Sequence, residues 1–273
     1  MRIPTTPPTT WRSPLESVSP PIPAPLASAA AQRDIPPDLV CGRDQTPCSF
    51  GKGVAFLIDK PSGPTSFDVV EAVRAASGVS KVGHAGTLDP MATGLLILLV
   101  ARPATRLQEA FMHLPKTYEG TMRLGERTPS HDAETEVAER TDVSDVTETD
   151  LRSIRTDFTG TLQQVPPMYS AVQVDGERLY KKARRGETVD RPPRQVTVDS
   201  FEYLDWTPPD LTFRVECSKG FYVRSLARDV GKVLDVGAHL TALRRTEIGP
   251  YSVSAAWEVS ALENALSQMQ TNE

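Results

Sequence analysis

Apolar and polar positions follow two rhythms along the chain. Residues 53–59 (GVAFLID) and 94–101 (GLLILLVA) are continuous apolar runs, the mark of strands covered on both faces. Residues 117–125 instead place Tyr118, Gly120, Met122 and Leu124 at every second position, the period of a strand buried on one face. Thr65 followed three residues later by Asp68 resembles a capping box and predicts a helix from there to about Ala76. A second helix is predicted at about 149–158. MYSAVQV, at 168–174, runs into an Asp175-Gly176 turn and a basic helix closed by Gly186. QVTVDSFEYL and LTFRVEC then read as two strands joined at Pro208-Pro209. In FYVRSLARDVGKVLD, Val223, Leu226, Ala227, Val230 and Leu234 share one helical face, which suits packing against a sheet. Strands that neighbour one another and alternate with helices point to an α+β fold, with a mixed or antiparallel central sheet flanked by helices.

Composition changes this picture at the start of the chain. The first 50 residues hold 11 of the 24 prolines and show little hydrophobic periodicity, so residues 1–50 read as a disordered Pro-rich extension. The longest apolar run, Leu95 to Ala101, is far short of the roughly 20 residues that cross a bilayer. Cys41, Cys48 and Cys217 form neither a metal-ligand spacing nor a disulfide framework, which fits a reducing, cytoplasmic setting. No metal site and no cofactor motif stands out.

Net charge is −5, from 30 Lys+Arg against 35 Asp+Glu, which alone argues mildly against a nucleic-acid ligand. Its distribution argues the other way. Eight acidic residues and one basic residue lie between Asp132 and Asp150, whereas Arg178, Lys181, Lys182, Arg184, Arg185, Arg191 and Arg194 crowd the next positive stretch. That stretch suits a polyanion, although a solvated surface would carry the same pattern.

Candidate chemistry centres on GHAGTLDPMATG, residues 83–94, where three glycines permit a tight loop around the single carboxylate of Asp89. An Asp-Pro pair is more often a turn or helix start, so the residues alone favour that reading over a catalytic one.

The motif resembles the signature of the TruB and dyskerin group of pseudouridine synthases. The resemblance continues through Lys116-Thr117-Tyr118, QVPPMYSAVQVDGERLYKKARRGE, CSKGFYVRSLARDVG and AHLTALRRTEIGPY, covering roughly residues 51–255. It implies a pseudouridine synthase catalytic domain over that span, with an RNA-binding insertion at about 166–194. By position it implies that Asp89 is the catalytic aspartate, Tyr118 the tyrosine under the target base and Arg224 the partner of the aspartate. It further implies that His84 contacts RNA near the flipped base, and that Tyr222 and Leu243 line the pocket. Lys181, Lys182, Arg184, Arg185 and Lys219 are then candidate phosphate contacts. An arginine within about 4–6 Å of Asp89 would lower its pKa by about 1–3 units.

The activity implied is isomerisation of the T-loop uridine at tRNA position 55, with the base flipped out and neither cofactor nor metal required. The aspartate attacks the sugar, attacks the uracil, or removes the C2′ proton; the family's mechanism favours the last, through a glycal. The expected partner is the tRNA T-arm, met by a monomer without a membrane or guide RNA. Residues 256–273 read as a C-terminal tail with no PUA-type domain. A related synthase with another RNA target, and an RNA-binding or RNA-folding module, are the competing readings.

Overall fold

The computed structural model describes residues 34–45, 49–170, 173–174, 176–179, 182, 185, 187 and 189–271. Among them, eleven strands form the main sheet. These are β1 (Val40–Cys41), β2 (Val54–Lys60), β3 (Val82–His84), β4 (Thr93–Val100), β5 (Lys116–Leu124) and β6 (Gly160–Gln164). After them come β7 (Arg194–Thr207), β8 (Asp210–Cys217), β9 (Ala238–Ile248), β10 (Tyr251–Ser252) and β11 (Trp257–Glu258). The strand order is β1-β2-β4-β9-β5-β8-β7-β6, with β3 on β4, β10 on β9 and β11 on β2. The helices are α1 (Ser66–Ser77), α2 (Ala101–Thr105), α3 (Gln108–His113), α4 (Glu148–Ile154), α5 (Val223–Val233) and α6 (Val259–Thr271). Most neighbouring strands run antiparallel, and β4 meets β9 in parallel, so the expected mixed sheet with flanking helices is present.

The two rhythms of the sequence correspond to two packing situations. In β4, Leu96, Leu98 and Val100 join the core on the face of α1, α5 and α6, while Leu95, Ile97 and Leu99 join a second core with Phe111 and Leu114. A strand covered on both faces has no position for a polar residue, hence the unbroken apolar run. In β5, Met122 and Leu124 enter the first core, while Glu119 and Arg123 on the alternate positions form ion pairs with Arg214 and Asp210 of β8. The capping box at Thr65 and Asp68 is present, and a second one, at Thr147 and Asp150, starts α4.

Both ends of the fold extend past the boundaries the sequence suggests. Residues 1–33 and 46–48 lie outside the described residues, but 34–45 pack on the body rather than forming part of a free extension. Ile35, Leu39 and Cys41 are buried, and β1 pairs with β2 in parallel. At the other end the expected tail forms β11 and α6. Leu262 and Leu266 are buried, and α6 lies against α1. Pro-rich and polar composition hid these short apolar sets, which are stable only against a core already built.

Candidate active site

The loop carrying Asp89 leaves β3 and returns as β4, and it is held from several sides. Lys60, fully buried at the end of β2, donates to the carbonyls of Pro61, Pro64 and Pro90 at 2.7, 2.8 and 3.2 Å. The Ser66 hydroxyl accepts from the Leu88 amide at 2.8 Å and donates to the Leu88 carbonyl at 3.1 Å. Glu134 accepts from the Met91 amide at 3.1 Å. Asp89 is therefore presented from a backbone anchored on both sides.

Its partner comes from the first turn of α5. Gln164, at the end of β6, accepts from the Tyr222 amide at 2.8 Å and donates to the Tyr222 carbonyl at 3.1 Å, which fixes the entry to that helix. Arg224, 5% exposed, then donates from Nη2 to Asp89 Oδ1 at 2.8 Å and from Nη1 to the Ser130 carbonyl at 3.4 Å. Its Nε lies 3.6 Å from Asp132 Oδ2, and Asp132 is 1% exposed. One buried guanidinium thus spans two carboxylates.

Burial pushes the Asp89 carboxyl above the ordinary carboxylate range; Arg224 pulls it down, and Asp132 adds to the upward push. The sequence expectation of a lowered pKa is corrected in its net direction. Arg224 acts as expected, but loss of water around the carboxylate outweighs it.

Tyr118 lies opposite Arg245 in the β5–β9 register, and Gly120 opposite Leu243. The Tyr118 hydroxyl accepts from Arg245 Nη1 at 3.4 Å, and burial raises its pKa. Leu243 is buried and, with Met91 and Thr93, borders a cleft of about 420 Å³. His84 ends β3, where Gln108 donates to its carbonyl at 2.7 Å. Burial and then Arg245 lower the His84 pKa, so its imidazole is neutral at neutral pH. Tyr222 is half-buried, and burial raises its pKa, with Arg224 and Asp89 both near enough to act on it.

The structure thus joins Asp89 to Arg224 directly and links Tyr118 to the Asp89 loop through Arg245. The candidate phosphate contacts are placed differently. Lys181 and Arg184 lie outside the described residues. Lys182 is half-buried. Arg185 forks onto Glu177 at 2.7 and 2.9 Å and also pairs with Glu187 at 2.6 Å. Lys219, in the turn between β8 and α5, pairs with Glu109 of α3.

Sequence reasoning did not assign a site role to Asp132, Lys60, Gln164 or Arg245. Asp132 is one member of an acidic run. A signal for Arg245 becomes readable once residues 238–248 are known to form a strand. Leu243-Arg244-Arg245 within a strand must send its two arginines to opposite faces. Arg244 pairs with Asp59 at 2.7 and 3.0 Å, whereas Arg245 is 1% exposed.

Gly94 shows how tightly the loop is closed. At φ +100° it lies against β9 so closely that an added Cβ would sit 2.2 Å from the Arg245 carbonyl oxygen. Gly94→Ala is expected to cost more than about 2 kcal/mol through backbone strain and a clash that no rotamer relieves. Urea unfolding checks this, and a midpoint equal to wild type would contradict it.

The comparisons with known proteins point to the family whose signature the Asp89 motif resembles. The profile described as TruB family pseudouridylate synthase (N terminal domain) matches residues 74–223, and that of the tRNA pseudouridylate synthase B C-terminal domain matches residues 224–273. A protein of Opitutus terrae named tRNA pseudouridine synthase B is 47% identical over 208 residues, covering 76% of this chain and 86% of its own. One of the same name from Thermobifida fusca is 49% identical over 208 residues, covering 73% and 71%. Among solved structures, an archaeal box H/ACA sRNP Nop10-Cbf5 complex matches with TM-score 0.59 and 27% identity, over 81% of this chain and 56% of the matched one. A Cbf5-Nop10-Gar1 complex matches with TM-score 0.61 and 29% identity, over 84% and 59%. This chain therefore spans less than two thirds of those solved chains. With the Asp89 loop, the Arg224 pair and the Tyr118 strand assembled on one mixed sheet, and with both profiles matched in order along the chain, this chain belongs to the TruB family of pseudouridylate synthases.

Proposed function

We propose that this protein isomerises uridine to pseudouridine in tRNA, at the T-loop uridine of position 55, acting on its own without a guide RNA. The observation that carries the proposal is the Asp89 carboxylate held at 2.8 Å by the buried Arg224. It stands on an anchored loop beside Tyr118, in a chain of this family. The relatives' shared name, tRNA pseudouridine synthase B, supports tRNA as the substrate.

In the proposed reaction the nucleotide turns out of its stack into the site. Ionised Asp89 takes the C2′ proton while the C1′–N1 electron pair leaves with the uracil, producing a glycal and a uracil anion. The uracil turns and C5 bonds to C1′ as Asp89 returns its proton to C2′; C5 then loses its proton and N1 gains one. Tyr118 supplies the stacking face, and neutral His84 contacts the RNA beside the flipped base. Tyr222 and Leu243 complete the walls. Asp89 must be ionised in this scheme, and its pKa is raised. The single-turnover rate is accordingly expected to fall with acid above the ordinary carboxylate range, near pH 3.9.

Mapping pseudouridine in transcribed tRNA after incubation with the purified protein tests the function. Conversion confined to position 55 is expected. Conversion at other sites alone would redirect the substrate, and tight binding with no conversion would leave an RNA-binding module.

Lys181, Lys182, Arg184, Arg185 and Lys219 are proposed as phosphate contacts, supported by the positive stretch in which the first four lie. Joint reversal of the first four to glutamate is expected to raise KM. It should also flatten the salt dependence of RNA binding by about one unit of slope for each phosphate no longer neutralised. Arg185 must release Glu177 and Glu187, which engage its fork, before it can meet a phosphate. A binding titration with an unchanged salt slope would place the RNA grip elsewhere.

A further inference from the structure

Arg245 is buried among carbonyls and a phenol rather than beside a carboxylate among the described residues. Keeping a cation there is costly unless its donors are used with good geometry. Three hydrogen bonds use them. Nε donates to the Leu95 carbonyl at 2.7 Å, Nη2 to the Gly86 carbonyl at 3.0 Å, and Nη1 to the Tyr118 hydroxyl at 3.4 Å. Its backbone also takes part. Arg245 pairs in register with Gly94 of β4 on one side and with Tyr118 of β5 on the other.

Gly86 and Gly94 are the two ends of the segment that carries Asp89. One residue therefore grips the start of the loop through its side chain, the end through its backbone, and the tyrosine opposite through both. We infer that Arg245 is a positioning residue that fixes the Asp89 loop against Tyr118. Because a guanidinium only donates, Tyr118 accepts from it. The guanidinium carbon also lies 5.9 Å from the centre of the Tyr118 ring. It thus places positive charge over the ring on which the proposed reaction stacks the base, where it favours the negative charge that the departing uracil carries.

The inference rests on the proposed reaction, and a double-mutant cycle in the full chain separates the two. Arg245→Lys keeps the charge but removes the three-way fork. It is expected to lower the single-turnover rate about 100-fold through misplacement of the reacting groups, with stem-loop affinity unchanged. Combined with Tyr118→Phe, the fall in rate should be smaller than the product of the two single falls, because both changes break the same hydrogen bond.

Effects that multiply in an active enzyme, or a rise in Kd with no change in rate, would overturn the role of Arg245 while leaving the reaction in place. A wild-type protein that never converts uridine would overturn both. If Arg245→Lys does not fold, Tyr118→Phe in the otherwise unaltered chain tests the same link, because it keeps the stacking ring and removes the hydrogen bond to Arg245. A lower single-turnover rate with unchanged stem-loop affinity is expected, and an unchanged rate refutes the inference.

Discussion

Asp89→Asn is expected to abolish turnover while the protein stays folded and still binds a T-arm stem-loop. The asparagine keeps an oxygen that accepts from Arg224 at the 2.8 Å contact, but it cannot carry the charge that proton abstraction needs. Folding should survive for a specific reason: Arg224 retains Asp132 within 3.6 Å and the Ser130 carbonyl, so its charge is not left without a partner. The sign of the stability change follows from the raised carboxyl pKa. A carboxyl whose folded pKa exceeds its unfolded value contributes stability that is present at low pH and lost as pH rises through the folded value. Removing its charge removes that loss, so at neutral pH the variant should melt no lower than wild type. Pseudouridine mapping, calorimetry and a binding titration check the three parts. A folded variant with near-wild-type turnover would end the aspartate mechanism.

Arg224→Met is expected to have the larger effect on stability. It removes the shared cation from Asp132, which is 1% exposed, and from Asp89, whose side chain is 33% exposed, with Lys60 acting on Asp89 only more weakly. Removing one partner of a buried pair typically costs about 3–5 kcal/mol. Without Arg224 the Asp89 pKa should rise further, because the main downward influence on it is gone. The deficit relative to wild type should therefore be smallest below the unfolded carboxylate pKa and grow as pH rises through the carboxylate range and beyond. Turnover should fall steeply at neutral pH, since the carboxylate is no longer aimed. Urea unfolding at acid and neutral pH measures this, and a deficit independent of pH would show that the ion pair does not couple to Asp89 ionisation.

Much of this protein is determined by local pattern. The apolar runs of β2 and β4, the alternation of β5, the capping box of α1 and the apolar face of α5 are properties of short segments. They state which elements form and which side of each is buried. The motif around Asp89 is also local, since its glycines and its carboxylate lie within one loop, but its chemistry is implied by the resemblance to a family signature rather than by those residues alone.

What tertiary structure alone decided depends on segments distant in sequence. Strand β9 carries polar residues at both faces, Thr241, Arg244 and Arg245 among them, so its pattern does not announce a central strand. It becomes one because β4 and β5 flank it. That placement turns Arg245 inward while Arg244 stays near the surface. Asp132 resembles its acidic neighbours in sequence, but in the fold it bridges to Leu240 and lies buried beside Arg224. The direction of the Asp89 pKa was hidden for the same reason. A sequence names the charges, but whether pairing or lost hydration wins depends on how much water the folded chain excludes.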